Sequence, residues 1–394
     1  MHVLILGTRG LPAAHGGFET FAHDLALFLV AKNHEVTVYC QEQSGEATRE
    51  DVWNGVRRVL IPAGNGSRAS IGFDWASVSH ASKTPGVALT LGYNTAIFNL
   101  LFWARGKPTL MNMDGIEWQR DKWSRTQRLW LWFNEWAGAT ISQHLVADHP
   151  EIGKHLSRHT SPAKITVIPY GADPILSAPI EPVSAYGLKS RSYDLVIARP
   201  EPENSIMEIV QAHGRSQRPY PLVMLGNYEG SAGDYRRRVV EAAGPNVIFL
   251  GAIYDRDIVG ALRFHSRAYI HGHRVGGTNP SLVESLASGS AIVAHNNRFT
   301  RWVAGSSARY FDGVDDLAEI LDDLDSDPGQ LVSMQAGSRK QHEQHFTKVR
   351  ILGDYEKLLL EVATAKEPKA VKGSSLQQTS GVIQAAPYRE ENNS

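Results

Sequence analysis

Several short stretches of this 394-residue chain hold residue types that could grip an anionic or hydroxyl-rich ligand. The first is the loop Gly7-Thr8-Arg9-Gly10-Leu11-Pro12-Ala13-Ala14-His15-Gly16-Gly17, between an apolar run at Val3–Leu6 and a helical pattern of Phe18, Phe21, Leu25, Phe28 and Leu29. Gly16 and Gly17 allow close approach to the backbone and leave N–H groups at a helix start, where the helix dipole favours phosphate. A tight strand-to-helix turn would need the same glycines for geometry alone. Arg199 directly follows a second apolar run, at the carboxyl end of a strand, where open α/β sheets bind ligands. Its guanidinium matches a diphosphate, the competing use being a surface ion pair with Glu201 or Glu203. Farther on, Thr278 or Asn279 can cap a helix whose first turn holds Pro280, which makes a second anion site. Glu284 on that helix could accept hydrogen bonds from a ribose hydroxyl or merely complement the dipole. The shared chemistry is recognition of a nucleoside diphosphate.

Such residues need a frame, and the apolar periodicity supplies one. Val3–Leu6, the helix after it and Val36–Tyr39 form a β-α-β unit. Further strands are expected at 58–61, 87–91, 109–111, 144–147 and 165–168. A stretch rich in Pro, Ser and Ala then precedes a second series at 194–198, 221–225, 247–250, 268–270 and 291–293, with helices at 205–212 and 256–263 between them. The alternation predicts an α/β chain of two Rossmann-like domains, each a mostly parallel sheet covered on both faces, facing each other across a cleft. The expected boundaries are 1–175, a linker at 176–192, 193–345, a C-terminal helix at 346–365 and a disordered polar tail at 366–394.

Composition narrows the function classes. Forty Lys and Arg stand against 41 Asp and Glu, so no global field draws the protein to nucleic acid. Cys40 is the single cysteine, which excludes an intrachain disulfide and a thiolate metal cluster. The opening Met1-His2-Val3-Leu4-Ile5-Leu6-Gly7 lacks a basic segment and reaches glycine too early for a signal peptide, so a cytoplasmic location is expected. The charge-free run 84–104 is interrupted by Gly92, Asn94 and Asn99 and reads as a strand, a turn and a helix rather than a membrane span. Among the histidines, His271-Gly272-His273 stands out, but two ligands make a weak metal site. A nicotinamide dinucleotide site would need G-x-G-x-x-G and an acid ending the second strand, where Tyr39-Cys40-Gln41 is read instead.

The set Gly16-Gly17, Ile168-Pro169-Tyr170-Gly171-Ala172-Asp173, Arg199 with its following Glu-Asn, and Gly277 to Glu284 resembles the GT4 family of retaining glycosyltransferases, of GT-B fold, from Met1 to about Val362. Within it, Gly7 to Thr20, Asp114-Gly115-Ile116-Glu117-Trp118, Glu201-Pro202-Glu203-Asn204 and Gly276-Gly277-Thr278-Asn279-Pro280-Ser281 look like the bacterial rhamnosyltransferase branch. The resemblance implies transfer of a sugar, L-rhamnose from a dTDP-L-rhamnose donor, with retention and with no metal or other cofactor required. The acceptor it implies is a glycan or a lipid-linked sugar in cell-surface polysaccharide synthesis. Donor contacts would come from Gly16, Gly17, Arg199, Asn204, Gly277, Thr278, Asn279 and Glu284, with Asp114 beside the anomeric carbon. Two departures from the family matter: Asn204 stands where a diphosphate-binding lysine is usual, and Gly276 stands where a glutamate is usual. Arg9 and Arg274 are the cations that could compensate. A catalytically silent nucleotide-sugar-binding protein is the alternative these losses leave open. Finally, Trp118, Trp123, Trp130, Trp132 and Trp136 lie among Arg120, Lys122, Arg125 and Arg128. That mixture suits a membrane interface, yet Leu129, Trp132, Phe133 and Trp136 would equally form the core stripe of an ordinary helix.

Overall fold

The structure, a computed structural model, describes residues 1–13, 16–43, 47–64, 66–120, 123–228 and 234–365. The expected tail at 366–394 lies outside the described residues, as do His15 and Lys122. Two compact units emerge: Met1–Pro169 together with the C-terminal helix from Arg350, and Tyr170–Val349.

In the first unit β1 (His2–Leu6), β2 (Glu35–Glu42), β3 (Arg49–Trp53), β4 (Val56–Pro62), β5 (Val87–Leu91), β6 (Thr109–Asn112), β7 (His144–Ala147) and β8 (Ile165–Val167) build one sheet. Its order is β3-β4-β2-β1-β5-β6-β7-β8. All neighbours are parallel except the β3–β4 hairpin. The central strands β1 and β5 are buried along nearly their whole length, as a sheet covered on both faces requires. The helix Gly17–Ala31 buries Ala22, Leu25, Ala26 and Leu29 at three- and four-residue spacing. Ile351, Leu352, Tyr355 and Leu359 of the C-terminal helix join the same core. From β1 the chain moves outward to β2, then returns on the other side of β1 to lay down β5, so the order reverses between β1 and β5.

The second unit repeats the scheme with β9 (Asp194–Ile197), β10 (Leu222–Leu225), β11 (Val247–Gly251), β12 (Ala268–His271), β13 (Ala291–His295) and β14 (Arg309–Phe311), all parallel, in the order β11-β10-β9-β12-β13-β14. Here the order reverses between β9 and β12. At the amino ends of these two strands, the buried Arg267 donates both to Asp194 Oδ1 at 2.8 Å and to Oδ2 at 2.9 Å. Arg267 also pairs with Asp325, which in turn receives Arg218 at 2.7 Å.

The structure departs from the sequence-based expectation in two places and settles a third point that the sequence left open. β3 is charged and was not anticipated; as an edge strand it uses Glu50 and Asp51 to pair Arg57 and Arg58 of β4. The stretch expected to link the domains, 176–192, packs within the second unit, where Val183 and Leu188 are buried, and the units divide earlier, at Pro169. Finally, the stripe Leu129, Trp132, Phe133 and Trp136 is exposed. The helix Arg125–Ile141 instead buries Leu131, Asn134, Glu135 and Ala137–Ala139. Gly138 explains the choice: a Cβ there would stand 2.8 Å from Met111 Sδ, so only this face lets the helix seat on β6. The run 84–104 does resolve into β5, a 3-10 turn at Ala96–Asn99 and a short helix at Leu100–Ala104. Among the described residues no helix is long and apolar enough to cross a membrane.

Candidate functional site

The candidate donor residues of the second unit gather where its strand order reverses, beyond the carboxyl ends of β9 and β12, the place where open α/β sheets hold ligands. Arg199 leaves β9 with its side chain 65% exposed, and among the described residues its guanidinium pairs with Glu201 alone, at 3.6 Å. A long pair of this kind at the surface holds little energy and leaves the guanidinium available. Asn204 is used differently from the expectation of a direct donor contact. It is buried, and its amide donates to the Arg199 carbonyl at 2.9 Å, which fixes the turn from which Arg199 projects. Gly272 lets β12 close on this turn, since a Cβ there would meet Asn204 O at 2.2 Å. Arg274 is not a spare cation: its Nε donates to Ser205 Oγ at 2.9 Å and its Nη2 pairs with Glu208.

Glu284 sits in the second turn of the helix Pro280–Ala287 and is held on both oxygens. Arg263 Nη2 lies 2.7 Å from Oε2, and Tyr170 Oη donates to Oε1 at 3.3 Å. The guanidinium side is buried while a third of the Glu284 side chain is exposed. A carboxylate fixed from behind, with lone pairs still open in front, is suited to accept hydroxyl donors. Sequence reasoning missed both supports. Arg263 carries a detectable signal, an arginine on the apolar face of the helix Arg256–His265, whereas Tyr170 belongs to the quoted Ile168–Asp173 run without a role. The second anion site expected at this helix is already used by its own cap: Asn279 Oδ1 accepts Ser281 N at 3.0 Å, and the N–H groups of Leu282 and Val283 bond the Asn279 carbonyl. Thr278 is buried, and Gly276, with φ of 127°, turns the loop before it with no atom within 4 Å of where a Cβ would be, so backbone approach to a ligand is sterically open there. Gly277 is half-buried beside it.

In the first unit, Gly7 ends β1 with φ of 82°, and a Cβ would strike Leu91 O at 2.1 Å. Arg9 is exposed on the following loop. Gly16 caps the helix that begins at Gly17, has φ of 88°, and brings no side chain to cover the first-turn amides. Asp114 follows β6 in a left-handed backbone conformation, φ 52°, with its N–H bonded to Asn112 Oδ1 at 2.9 Å. Strained non-glycine backbone of this kind persists only where its surroundings hold it. Tyr93 Oη provides part of that hold, donating to Gly115 O at 3.2 Å and accepting Glu117 N at 2.8 Å, and burial raises its pKa well above the phenol value. Trp118 Nε1 donates to buried Glu135 at 3.0 Å, and the other oxygen of Glu135 bonds His155 at 2.7 Å.

Glu135, His155 and His159 also form the group among the described residues whose potential metal-ligand atoms lie within 4.8 Å of one another. The His155-x-x-x-His159 spacing is legible in the sequence, whereas Glu135 joins it only through the fold. The rings of His271 and His273 stack face to face, with centroids 4.3 Å apart and 9° between planes, a geometry that does not converge two lone pairs on one ion. Burial depresses the pKa of His271 far below the usual imidazole range. β2 runs on to Glu42, an acid where a dinucleotide site would place one, but Arg49 holds that carboxylate.

With this geometry described, comparison with known proteins adds three results. Residues 1–173 match a family model described as a domain of unknown function, DUF1972. A search of curated proteins finds no match. Among solved structures, sucrose-phosphate synthase from Thermosynechococcus elongatus superposes with a TM-score of 0.75 at 17% identity, over 92% of this chain and 98% of that one. Anabaena HepE, solved with UDP-glucose, gives 0.72 at 14% identity over 92% and 100%. The UDP-forming α,α-trehalose-phosphate synthase of Burkholderia vietnamiensis gives 0.67 at 12% over 91% and 99%. At these identities the likeness is one of architecture, and it extends over nearly the full length of each partner. The two Rossmann-like units of this chain are those of the GT-B fold.

Proposed function

We propose that this chain is a glycosyltransferase that takes a sugar from a nucleoside diphosphate donor with retention of configuration, and that the donor is dTDP-L-rhamnose. The observation that carries the reading is Glu284, a carboxylate pinned by Arg263 and Tyr170 at the switch point of the second sheet, with Arg199 projecting from the neighbouring strand end. In this reading Glu284 accepts the donor ribose hydroxyls, Arg199 meets the diphosphate, and the Gly276–Gly277 turn admits it to the backbone. Asp114 stabilises positive charge near the anomeric carbon, and the acceptor hydroxyl enters on the face from which the diphosphate leaves. Catalysis is then positioning plus charge stabilisation of the leaving group. Release of nucleoside diphosphate from a panel of thymidine, uridine, guanosine and adenosine diphosphate sugars tests the assignment. Turnover confined to another base or sugar would replace the donor, and no release from any donor would reject glycosyl transfer in favour of a silent binding protein. Within an active preparation, Glu284→Ala is expected to weaken donor binding and cut turnover by roughly tenfold or more while circular dichroism stays unchanged. Unaltered kinetics would remove Glu284 from the site.

We further propose that the acceptor is carried on a lipid and that the first unit meets the membrane surface. Leu129, Trp130, Trp132, Phe133 and Trp136 stand exposed on the helix Arg125–Ile141, which also carries Arg125 and Arg128, and Leu100 and Trp103 of the helix Leu100–Ala104 are exposed as well. Exposed tryptophan with arginine is the composition of an interfacial helix, and anionic lipid supplies the complementary charge. Replacing Trp132, Phe133 and Trp136 together by serine should lower binding to vesicles containing phosphatidylglycerol by roughly tenfold or more in a sedimentation assay. Equal sedimentation of both proteins would discard the membrane contact.

A further inference from the structure

The order of strands in the first sheet reverses between β1 and β5, and a pocket opens there that is lined by none of the candidate donor residues. It is a partly open recess between the ends of β1 and β5, the helix Ser67–Ala81 and the turn after β5. Its polar lining is Asp74, Ser77, Thr90, Asn94, Thr95 and Asn99. Thr95 Oγ1 donates to Asp74 Oδ2 at 2.8 Å, and Asn99 Nδ2 donates to Thr90 Oγ1 at 3.4 Å. Among the described residues no ion pair reaches Asp74, and no lysine or arginine lines the pocket. Burial, opposed only by the Thr95 bond, raises the Asp74 carboxyl to about 6. A lining of one acid, amides and hydroxyls without a cation repels phosphate and suits neutral hydroxyls.

Large apolar side chains stand exposed on the elements that line this pocket. Ile71 and Trp75, on the same helix as Asp74, are exposed, as are Leu100 and Trp103 just beyond Asn99. Trp130 Nε1 donates to the Asn94 carbonyl at 2.9 Å, so the tryptophan surface of the helix Arg125–Ile141 begins at the pocket mouth. We infer that this pocket is a subsite for a neutral polyhydroxylated head group borne on an apolar chain, with Asp74 and Thr95 accepting and donating to its hydroxyls and these exposed side chains holding the chain. The inference deepens the glycosyl-transfer reading, because such a head group is the acceptor end of the reaction, but it stands on the pocket alone.

The probes are octyl β-D-glucopyranoside and octyl β-D-galactopyranoside below their micellar concentrations, with a sugar-free octyl tetraethylene glycol ether as the tail-only control, titrated into the full chain and followed by tryptophan fluorescence. An octyl glycoside is expected to bind at least tenfold more tightly than the ether, and Asp74→Asn and Thr95→Val are each expected to abolish that preference while leaving ether binding unchanged. Because Asp74→Asn removes a buried charge, the variant should melt no lower than the parent at pH 8, which separates a lost contact from a lost fold. Equal binding of glycosides and ether by the parent chain, or an undiminished preference in both variants, would overturn the subsite. Nucleotide release measured on the same samples keeps the two readings apart: absence of donor turnover with an Asp74-dependent glycoside preference would sink glycosyl transfer and leave the subsite standing, and the reverse result would do the opposite.

Discussion

Arg199→Ala is expected to lower the rate of sugar transfer by about a hundredfold or more, and Arg199→Lys to recover only part of the loss. A nucleoside diphosphate leaves with more negative charge than it carried in the donor, so a cation fixed beside it binds the transition state better than the ground state. Removing one donor of this type costs about 3 kcal/mol. The structure narrows the choice of cation. Asn204, which stands where a lysine is usual in the family that the sequence resembles, is turned inward to hold the Arg199 carbonyl, and Arg274 is engaged by Glu208 and Ser205. Arg199 keeps only a 3.6 Å pair with Glu201, weak enough to exchange for a diphosphate. Turnover numbers for the three proteins at saturating donor decide the matter. Near-normal turnover of Arg199→Ala would move the diphosphate contact to Arg9.

The largest effect on stability is expected at the other end of the same strands. Arg267→Ala should destabilise the second unit by about 3–5 kcal/mol, because it strands the Asp194 charge in the interior, and Asp194→Ala by less, because Asp325 still pairs with Arg267. Both side chains are almost wholly buried, Arg267 reaches Asp194 through two bonds and Asp325 through a third, and Tyr220 lies 4.5 Å beneath the guanidinium. Replacing the pair together by apolar residues of similar volume should cost much less, since no lone charge then remains. Urea unfolding of the three proteins reads the difference. Equal losses for single and double variants would mean that the pair itself, rather than an abandoned charge, carries the stability.

Asp74 belongs to the opposite class. Its pKa is raised in the folded protein, so folding is penalised above the folded value and not below the unfolded one. Asp74→Asn should therefore stabilise the chain at pH 8 and have little effect at pH 4, as thermal melts at the two values would show.

The sequence by itself determined the alternation of apolar strands and amphipathic helices, and with it the two parallel sheets. Fully buried strands such as Val87–Leu91 must be apolar throughout, and that property is local. It also marked Arg199 and Glu284, because a strand end and a helix start are positions that can be read one segment at a time. Other features were settled only by long-range packing. The strand Arg49–Trp53 carries charge because it lies at an edge, which depends on the order of strands. The stretch 176–192 looks like a linker until its Val183 and Leu188 find the second core. Which stripe of the helix Arg125–Ile141 faces inward was decided by Gly138 against Met111, a contact between residues far apart in the chain, and it turned the tryptophans outward. Likewise Arg263 and Tyr170 hold Glu284, and Asp74 lines the reversal of the first sheet, only because the tertiary fold brings together segments whose own periodicity says nothing of one another.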